Sequence, residues 1–440
     1  MTAMIVMKFG GTSIGNSGMI KRVAEIVESE VRRNPVVVVS AFNGVTDELM
    51  KLANDAINGD FNLNEIKKRH FDVIDELDID KSLTSREFEE LEILFKGISM
   101  LKELTPRTLD NVMSFGERIS AKIIAEYMAK NGLNANPYNS YDIGFVTDSN
   151  FGNAEVLEET ESNIYNFVQN FKNSIPVITG FIAKNKEGEI TTLGRGGSDY
   201  TASIIGVALH AEEVQIWTDA DGVMTADPKI VDGAKNIDFM SYDEASELAF
   251  LGAKVLHPKT ILPAVKKNIP VKILNTYNPT HKGTTILKEV DKSTGVTSIA
   301  CKKNIKVINL RSPKMFLVYG FISKVFDAFT NLKIPVDMIS TSEISVSITI
   351  DGKYNTDVLV EELRKLGEVA VRNNRASISV VATALAFTPG IAGKVFSSLG
   401  NNGINVEMIS SGASEINESF VVKEEDADKS VRILHKTFFG

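Results

Sequence analysis

Toward its carboxyl end the chain repeats itself, and no other feature restricts its fold as strongly. Gly320–Ser340 (GFISKVFDAFTNLKIPVDMIS) and Gly390–Ser410 (GIAGKVFSSLGNNGINVEMIS) align at an offset of 70, with ten of 21 positions identical. Chance would supply about one identity, so the segment is a duplicated module. Each copy reads strand, glycine turn, amphipathic helix, strand, strand, which is a split βαβ pattern, and two such modules can pair edge to edge. Glycine-framed loops in a duplicated module point to binding of a small ligand rather than to structural padding.

The preceding residues follow a different rhythm. Ile5–Phe9, Val36–Val39, Val177–Ile182, Val214–Trp217 and Val271–Leu274 are near-continuous apolar runs. Such runs suit strands buried on both faces. Helical patterns at Met19–Arg33 and Thr201–His210 alternate with them, which predicts an α/β fold with an open, mainly parallel sheet between helices. Residues from Thr46 to Asn131 are rich in Glu, Lys and Leu, contain no strand run and are broken at Thr105-Pro106. They read as a helical insertion.

Composition narrows the function. The chain has 440 residues, enough for roughly two to three domains at about 150 residues each. Forty-eight Lys and Arg against 57 Asp and Glu leave a net charge of −9, which disfavours nucleic-acid partners. One cysteine, Cys301, excludes a disulfide framework, and with five histidines it argues against a Cys-based zinc site. The first residues lack the basic segment of a secretory signal, and no apolar stretch reaches the roughly 18 residues of a spanning helix. A soluble, cytoplasmic chain is expected.

Three loops carry candidate chemistry. Lys8-Phe9-Gly10-Gly11-Thr12-Ser13 ends the first strand, where ligands of open α/β sheets bind. Adjacent glycines and a following helix N-terminus can cradle phosphate, although a plain strand-to-helix turn fits this segment equally well. Leu193–Tyr200 (LGRGGSDY) is a second glycine-rich loop running into a helix, with Arg195 beside it and Asp199 as a possible cap. Thr218-Asp219-Ala220-Asp221-Gly222 begins like a calcium loop, but Ile230 stands where an EF-hand needs glutamate. Gly11-Thr12-Ser13-Ile14-Gly15 also fits the nucleophile elbow of serine hydrolases, with His257 or His281 available by chain order. His257 precedes Pro258 in a helical-looking Ala253–Val265 segment, which suits a packing role better. Neither a P-loop nor a dinucleotide fingerprint occurs.

Six motifs in order, KFGGTS (8–13), VVSAFNGVTD (38–47), SFGERISA (114–121), GRGGSDYTA (194–202), TDADGVMTADP (218–228) and FLGAKVLHP (250–258), closely resemble the aspartate kinase family of amino-acid kinases. The resemblance covers nearly the whole chain, because the duplication is similar to the tandem ACT modules of that family. It implies a catalytic domain over 1–292 with the helical insertion at about 47–131. Two α+β ACT-like modules (βαββαβ) would follow, over 293–372 and 373–440. The implied reaction is ATP-dependent phosphorylation of the β-carboxylate of L-aspartate, with magnesium carried on the nucleotide. Lys8 would span the phosphates and Asp199 would hold it. Thr46, Glu117, Arg195 and Ser198 would grip aspartate, Glu117 taking its ammonium. Gly10, Gly11 and Ser40 would form phosphate loops, and Thr218, Asp219, Met224, Lys229, Lys254 and Val255 would line the nucleotide. Met224 and Lys229 depart from the aromatic residue and arginine of many relatives.

Length and Ser340–Glu343 resemble the lysine-inhibited homo-oligomeric type, with no fused homoserine dehydrogenase domain expected. Lysine would bind between first-repeat modules of two subunits, forming a homodimer or tetramer through the ACT modules. The implied contacts are Met315, Val318, Tyr319, Phe321, Ile322, Val336, Asp337, Ser342 and Glu343. Tyr319 is a departure, since Pro389 occupies the matching place in the second repeat. Rival readings are an acetylglutamate or glutamate kinase, a non-catalytic amino-acid sensor and the serine hydrolase.

Overall fold

The computed structural model describes residues 4–440 apart from 168–170, 172–173, 251–256, 291–294, 316–318, 384–387 and 412–415. Lys254, Val255 and Val318 lie outside the described residues. The chain divides into two compact units: 1–223 with 238–242 and 255–290, and 224–237 with 243–254 and 291–440.

The strands of the first unit are β1 (Ile5–Phe9), β2 (Pro35–Val39), β3 (Ala135–Tyr138), β4 (Val146–Thr147), β5 (Ile175–Thr179), β6 (Ile182–Asn185), β7 (Ile190–Thr192), β8 (Glu213–Thr218), β9 (Phe239–Ser241), β10 (Val271–Asn275) and β11 (Thr284–Leu287). Eight of them form one sheet in the order β3-β5-β2-β1-β8-β10-β11-β9, parallel except between β10 and β11. β4, β6 and β7 form a small second sheet. The apolar runs end up where their composition demands, since β1, β2, β5 and β8 are buried along almost their whole length. The run Val177–Ile182 is not one strand. Phe181 takes a left-handed φ of 66° and sends the chain from the large sheet into the small one.

Helices α1 (Ser17–Ser29), α2 (Val45–Ala56), α3 (Asn64–Glu76), α4 (Ser85–Leu101), α5 (Pro106–Lys130), α6 (Glu159–Phe167), α7 (Gly197–Ala208), α8 (Tyr242–Phe250) and α9 (Pro258–Lys266) follow in order. The expected insertion is helical throughout, and its break at Thr105-Pro106 is the start of α5. Thr105 Oγ1 accepts from the N–H of Thr108, and Pro106 takes the first helical position, where its missing N–H costs nothing. His257 is not inside a helix. It caps α9 in extended conformation because the following Pro258 disfavours helical backbone there.

The second unit carries β12 (Gly295–Arg311), α10 (Phe321–Asn331), β13 (Ile339–Thr341), β14 (Ser345–Asp351), α11 (Asp357–Arg364), β15 (Glu368–Thr383), α12 (Ile391–Asn401), β16 (Met408–Ser411), β17 (Asn417–Lys423) and α13 (Ala427–Phe439). One antiparallel sheet runs β13-β14-β12-β15-β17-β16. The modules interlock rather than follow one another at residue 372. The carboxyl half of β12 pairs with β14, while its amino half pairs only with β15 beside β17. Ile299 of that amino half accordingly packs in the second module's core with Ile378, Val395 and Phe420. Ile308 and Leu310 pack in the first module's core with Phe321, Val325 and Ile348. The segment 224–237 belongs to this unit too: Ala226 sits in the second module's core, and Thr225 Oγ1 lies 2.9 Å from His435 Nε2 of α13.

Candidate active site

The carboxyl ends of β1 and β2 open into a cleft of about 300 Å³ in the first unit. Lys8 is the one polar interruption in the apolar run of β1, paired in register with Val38 and Ile216 on the neighbouring strands. Such a central strand must bury its flanks, so the ammonium leaves by the only polar direction, the cleft. There Nζ lies 2.6 Å from Asp199 Oδ1, with the two side chains 12% and 14% exposed.

Asp199 arrives from α7. The cap of that helix is Gly196, held at φ 74° where a side chain would be strained, so Asp199 does not cap the helix as the sequence alone allowed. Ser198 is equally released from capping, and accepts a 3.0 Å hydrogen bond from Ser40 Oγ. Ser40 is fixed in turn by its N–H to Phe9 O at 3.2 Å and by Ser120 Oγ, which donates to its carbonyl at 2.6 Å.

Glu117 comes from α5. A Cβ on the preceding Gly116 would stand 2.6 Å from the Ala41 Cβ, so only glycine lets this helix approach the loop after β2. Glu117 Oε1 accepts from the Ala41 N–H at 3.1 Å, whereas Oε2 is buried without a partner. Burial pushes the carboxyl up to about 8, against a smaller opposing pull from that N–H. An unsatisfied buried carboxylate is costly, and a cation arriving from the cleft would relieve it.

The loop over the cleft is braced from behind. His70 stacks on Phe42 at 4.8 Å, and Arg69 donates to the Asn43 carbonyl. Burial lowers the His70 imidazole to about 4, so it stays neutral at pH 7. Asp110 of α5 accepts from Thr192 N–H, Thr192 Oγ1 and Gly152 N–H at 2.8–2.9 Å, tying down the strand that leads into the Gly194 loop.

The cleft gathers Lys8, Gly11, Ser40, Thr46, Glu117, Ser198 and Asp199 from the sequence candidates. Gly10 adjoins it, since a Cβ there would lie 3.2 Å from Lys8 Nζ. Arg195 is exposed on the loop and does not line the cleft. Thr218 and Asp219 stand at the end of β8 with their side chains hydrogen-bonded to each other at 3.1 Å. Met224 and exposed Lys229 belong to the second unit. Asn43, Gly44 and Asp47, from the 38–47 motif, and Phe181 also line the cleft, though sequence alone assigned none of them a role of its own. The first three were detectable, because the loop and first turn of α2 that carry them follow the carboxyl end of β2 as the Lys8 loop follows β1.

Two sequence alternatives fail. Ser13 is fully buried, donating to Trp217 O at 3.2 Å and lying 2.7 Å from Thr276 Oγ1, so no histidine activates it. The calcium-like loop is a structural turn, in which Asp221 accepts from Asn275 Nδ2 at 2.8 Å.

The regulatory candidates are scattered by their surroundings. Phe321 is core, Met315, Ile322 and Val336 pack at its edge, and Tyr319 is fully exposed. Asp337 is paired with Lys302 at 2.6 Å. Ser342 and Glu343 are exposed, with Ser342 Oγ 2.7 Å from Ser345 Oγ.

Residues 3–275 match the amino acid kinase family, and residues 308–360 and 378–438 match the ACT domain. The parallel sheet with its charged cleft, joined to paired ACT modules, therefore defines a regulated kinase of the amino acid kinase class. Aspartokinase 2, chloroplastic, of Arabidopsis thaliana is 41% identical over 99% of this chain and 84% of its own. Lysine-sensitive aspartokinase 3 of Escherichia coli K12 is 34% identical over 100% of both chains. The crystal structure of E. coli aspartokinase III in complex with aspartate and ADP (R-state) matches with a TM-score of 0.81 at 32% identity, covering 99% of this chain and 100% of that one. Its T-state complex with lysine and aspartate matches at 0.83 and 33%, with the same coverage. The chain belongs to the aspartokinases.

Proposed function

We propose that the chain transfers the γ-phosphoryl group of ATP to the β-carboxylate of L-aspartate, in the cleft around Lys8, and that lysine inhibits it. The observation that carries this reading is the cleft's charge arrangement: a positioned ammonium, Lys8–Asp199, across from a buried carboxylate that lacks a cation, Glu117.

The acceptor needs no general base, since a carboxylate of pKa about 3.9 is ionised at neutral pH. One of its oxygens bonds to the γ-phosphorus as the bond to the β,γ-bridging oxygen breaks, and ADP leaves with that electron pair. The barrier lies in bringing two anions together, so fixed cations supply most of the catalysis. Lys8 meets the charge shared between transferring and leaving oxygens. Asp199 holds Lys8 in one direction, and Glu117 takes the substrate ammonium. Ser198 and Thr46, which line the cleft, position the acceptor. Gly10, Gly11 and Ser40 contribute the phosphate-side wall, and Thr218 and Asp219 line the nucleotide.

Among the described residues no group of three or more His, Cys, Asp or Glu side chains is placed to hold a metal ion. Magnesium would be carried on the ATP phosphates, and no protein ligand is assigned to it. No helix among the described residues is long and apolar enough to cross a membrane. A cytoplasmic homodimer or tetramer assembled through the ACT modules fits this reading.

The test compares acceptors. ADP release should require aspartate and give a hydroxylamine-trappable acyl phosphate, with little turnover on glutamate or N-acetylglutamate. A preference for either of those would overturn the acceptor, and no turnover with any would overturn the kinase reading.

A further inference from the structure

The first unit contains a second polar cavity, also of about 300 Å³, on the neighbouring face of α5. Glu117 of that helix belongs to the catalytic cleft, while Arg118 and Lys122 line this cavity together with Arg86 and Glu87 of α4 and Asn139 and Tyr141 of the turn after β3. Its size lies at the small-ligand end of the range for ligand pockets.

The charges inside it are arranged in an unusual way. Lys122 Nζ lies 2.7 Å from Glu87 Oε1, and the Glu87 side chain is 5% exposed. Its second oxygen, Oε2, is buried without a hydrogen-bond partner. Arg118 is 14% exposed, sits 4.2 Å over the Phe115 ring and bonds Glu90 at 2.8 Å. The walls thus offer a carboxylate with spare accepting capacity next to two partly buried cations that are each held by a carboxylate.

This arrangement selects its ligand by charge balance. A simple anion that drew Lys122 away would leave Glu87 buried and unpaired, and a simple cation would meet Arg118 and the 32%-exposed Lys122 beside that carboxylate. Removing one partner of a buried ion pair is strongly unfavourable. A molecule carrying both signs can exchange with the internal pair, its ammonium going to Glu87 and its carboxylate to Lys122 and Arg118. We propose that this cavity between α4, α5 and the Asn139–Asp142 turn binds a free α-amino acid, separately from the catalytic cleft. The site stands on its own charges and does not depend on the catalytic assignment.

Both walls are also tied to elements of the catalytic cleft. Arg118 follows Glu117 in α5, and Ser140, within the turn, is tied to the strands beside the cleft: its N–H donates to Thr179 Oγ1 at 2.9 Å and its hydroxyl donates to Ile182 O. Phe181, between those residues, lines the catalytic cleft. Occupancy can therefore reach aspartate binding through α5 and the 179–182 segment.

The test is direct binding to the full chain by isothermal titration, using the free amino acids other than aspartate with saturating ADP present. It is run on Glu343→Ala protein, which removes a first-module effector contact, and then with Glu87→Gln or Lys122→Met added. At least one amino acid should bind the Glu343→Ala protein and weaken 10-fold or more in both added variants, while their turnover without effector stays within a few-fold. Sodium sulfate serves as the plain-anion probe and should not compete. No remaining binding, binding indifferent to both substitutions, or displacement by sulfate would each overturn the proposal. Should Glu87→Gln fail to fold, Lys122→Met alone decides.

Discussion

Two acidic sites show how differently this molecule treats buried carboxylates. In the catalytic cleft Glu117 has one protein donor and one oxygen with none. In the ACT unit the repeat-matched residues Asp337 and Glu407 occupy the same place, each donating its N–H to the adjoining strand, and both are already ion-paired. A buried carboxyl with an unpartnered oxygen marks a place that a cation from the cleft can complete. A paired charge marks a place where a ligand must compete.

The two repeats compete differently. Asp337 is held by Lys302, a single point charge at 2.6 Å. Glu407 is gripped by two guanidinium groups, Arg375 at 2.8 Å and Arg372 at 3.1 Å, which keep its carboxyl below the usual range despite burial. An amino-acid effector can replace one ammonium with its own. It cannot replace two guanidinium groups, both bonded to Glu407 Oε2, as cheaply. If an amino-acid effector acts by exchanging with an internal pair, the first repeat offers the weaker one.

The largest expected effect lies in the cleft. Lys8→Ala should lower kcat by about 10²–10³-fold or more, since it removes charge from the transferring group and nothing from the core. Circular dichroism should be unchanged, and turnover within a few-fold of wild type would remove Lys8 from the mechanism. Glu117→Gln should come next. Its loss is a charged hydrogen bond to substrate, about 1.5–3 kcal/mol, so the KM for aspartate should rise roughly 10–100-fold with the KM for ATP unmoved. A rise confined to ATP would put Glu117 in the wrong subsite.

Asp337→Asn should raise the lysine concentration for half-inhibition by about 5–150-fold, the usual span of an allosteric coupling, while basal turnover is kept. Glu407→Gln should instead lower the melting temperature and leave the inhibition curve in place. Equal effects of the two on inhibition would abolish the distinction between the repeats. A further effect concerns pH. The Glu117 carboxyl is raised to about 8 in the fold, so the native state holds its proton where the unfolded chain has lost it. Stability from this group is present below the unfolded value of about 4.3 and is lost as pH rises toward about 8. The ligand-free wild type should therefore lose more melting temperature between pH 5 and about 8 than Glu117→Gln does. Parallel curves would mean that Glu117 is ionised throughout.

Continuous apolar runs made β1, β2, β8 and β10 readable, because strands covered on both faces leave no choice of side chain. β3 was not readable, since Asn136 and Pro137 on an edge strand carry no such signature. The exchange of β12 between modules was also hidden: a 17-residue strand has the same local pattern whichever module its halves serve. In the site, Lys8 and the glycine loops stood out by residue type. Glu117 emerged only through resemblance, since one carboxylate among the many on helical segments has no local mark, and its burial is set by Gly116 against Ala41.

Proton release on aspartate binding tests the central claim most directly. At pH 7 a Glu117 carboxyl titrating near 8 is mostly protonated, and it must ionise to receive the substrate ammonium. Calorimetric titrations of aspartate in buffers of different ionisation enthalpy should give nearly one proton released per aspartate by wild type, and none by Glu117→Gln. No release from wild type, or the same release from both proteins, would contradict the account.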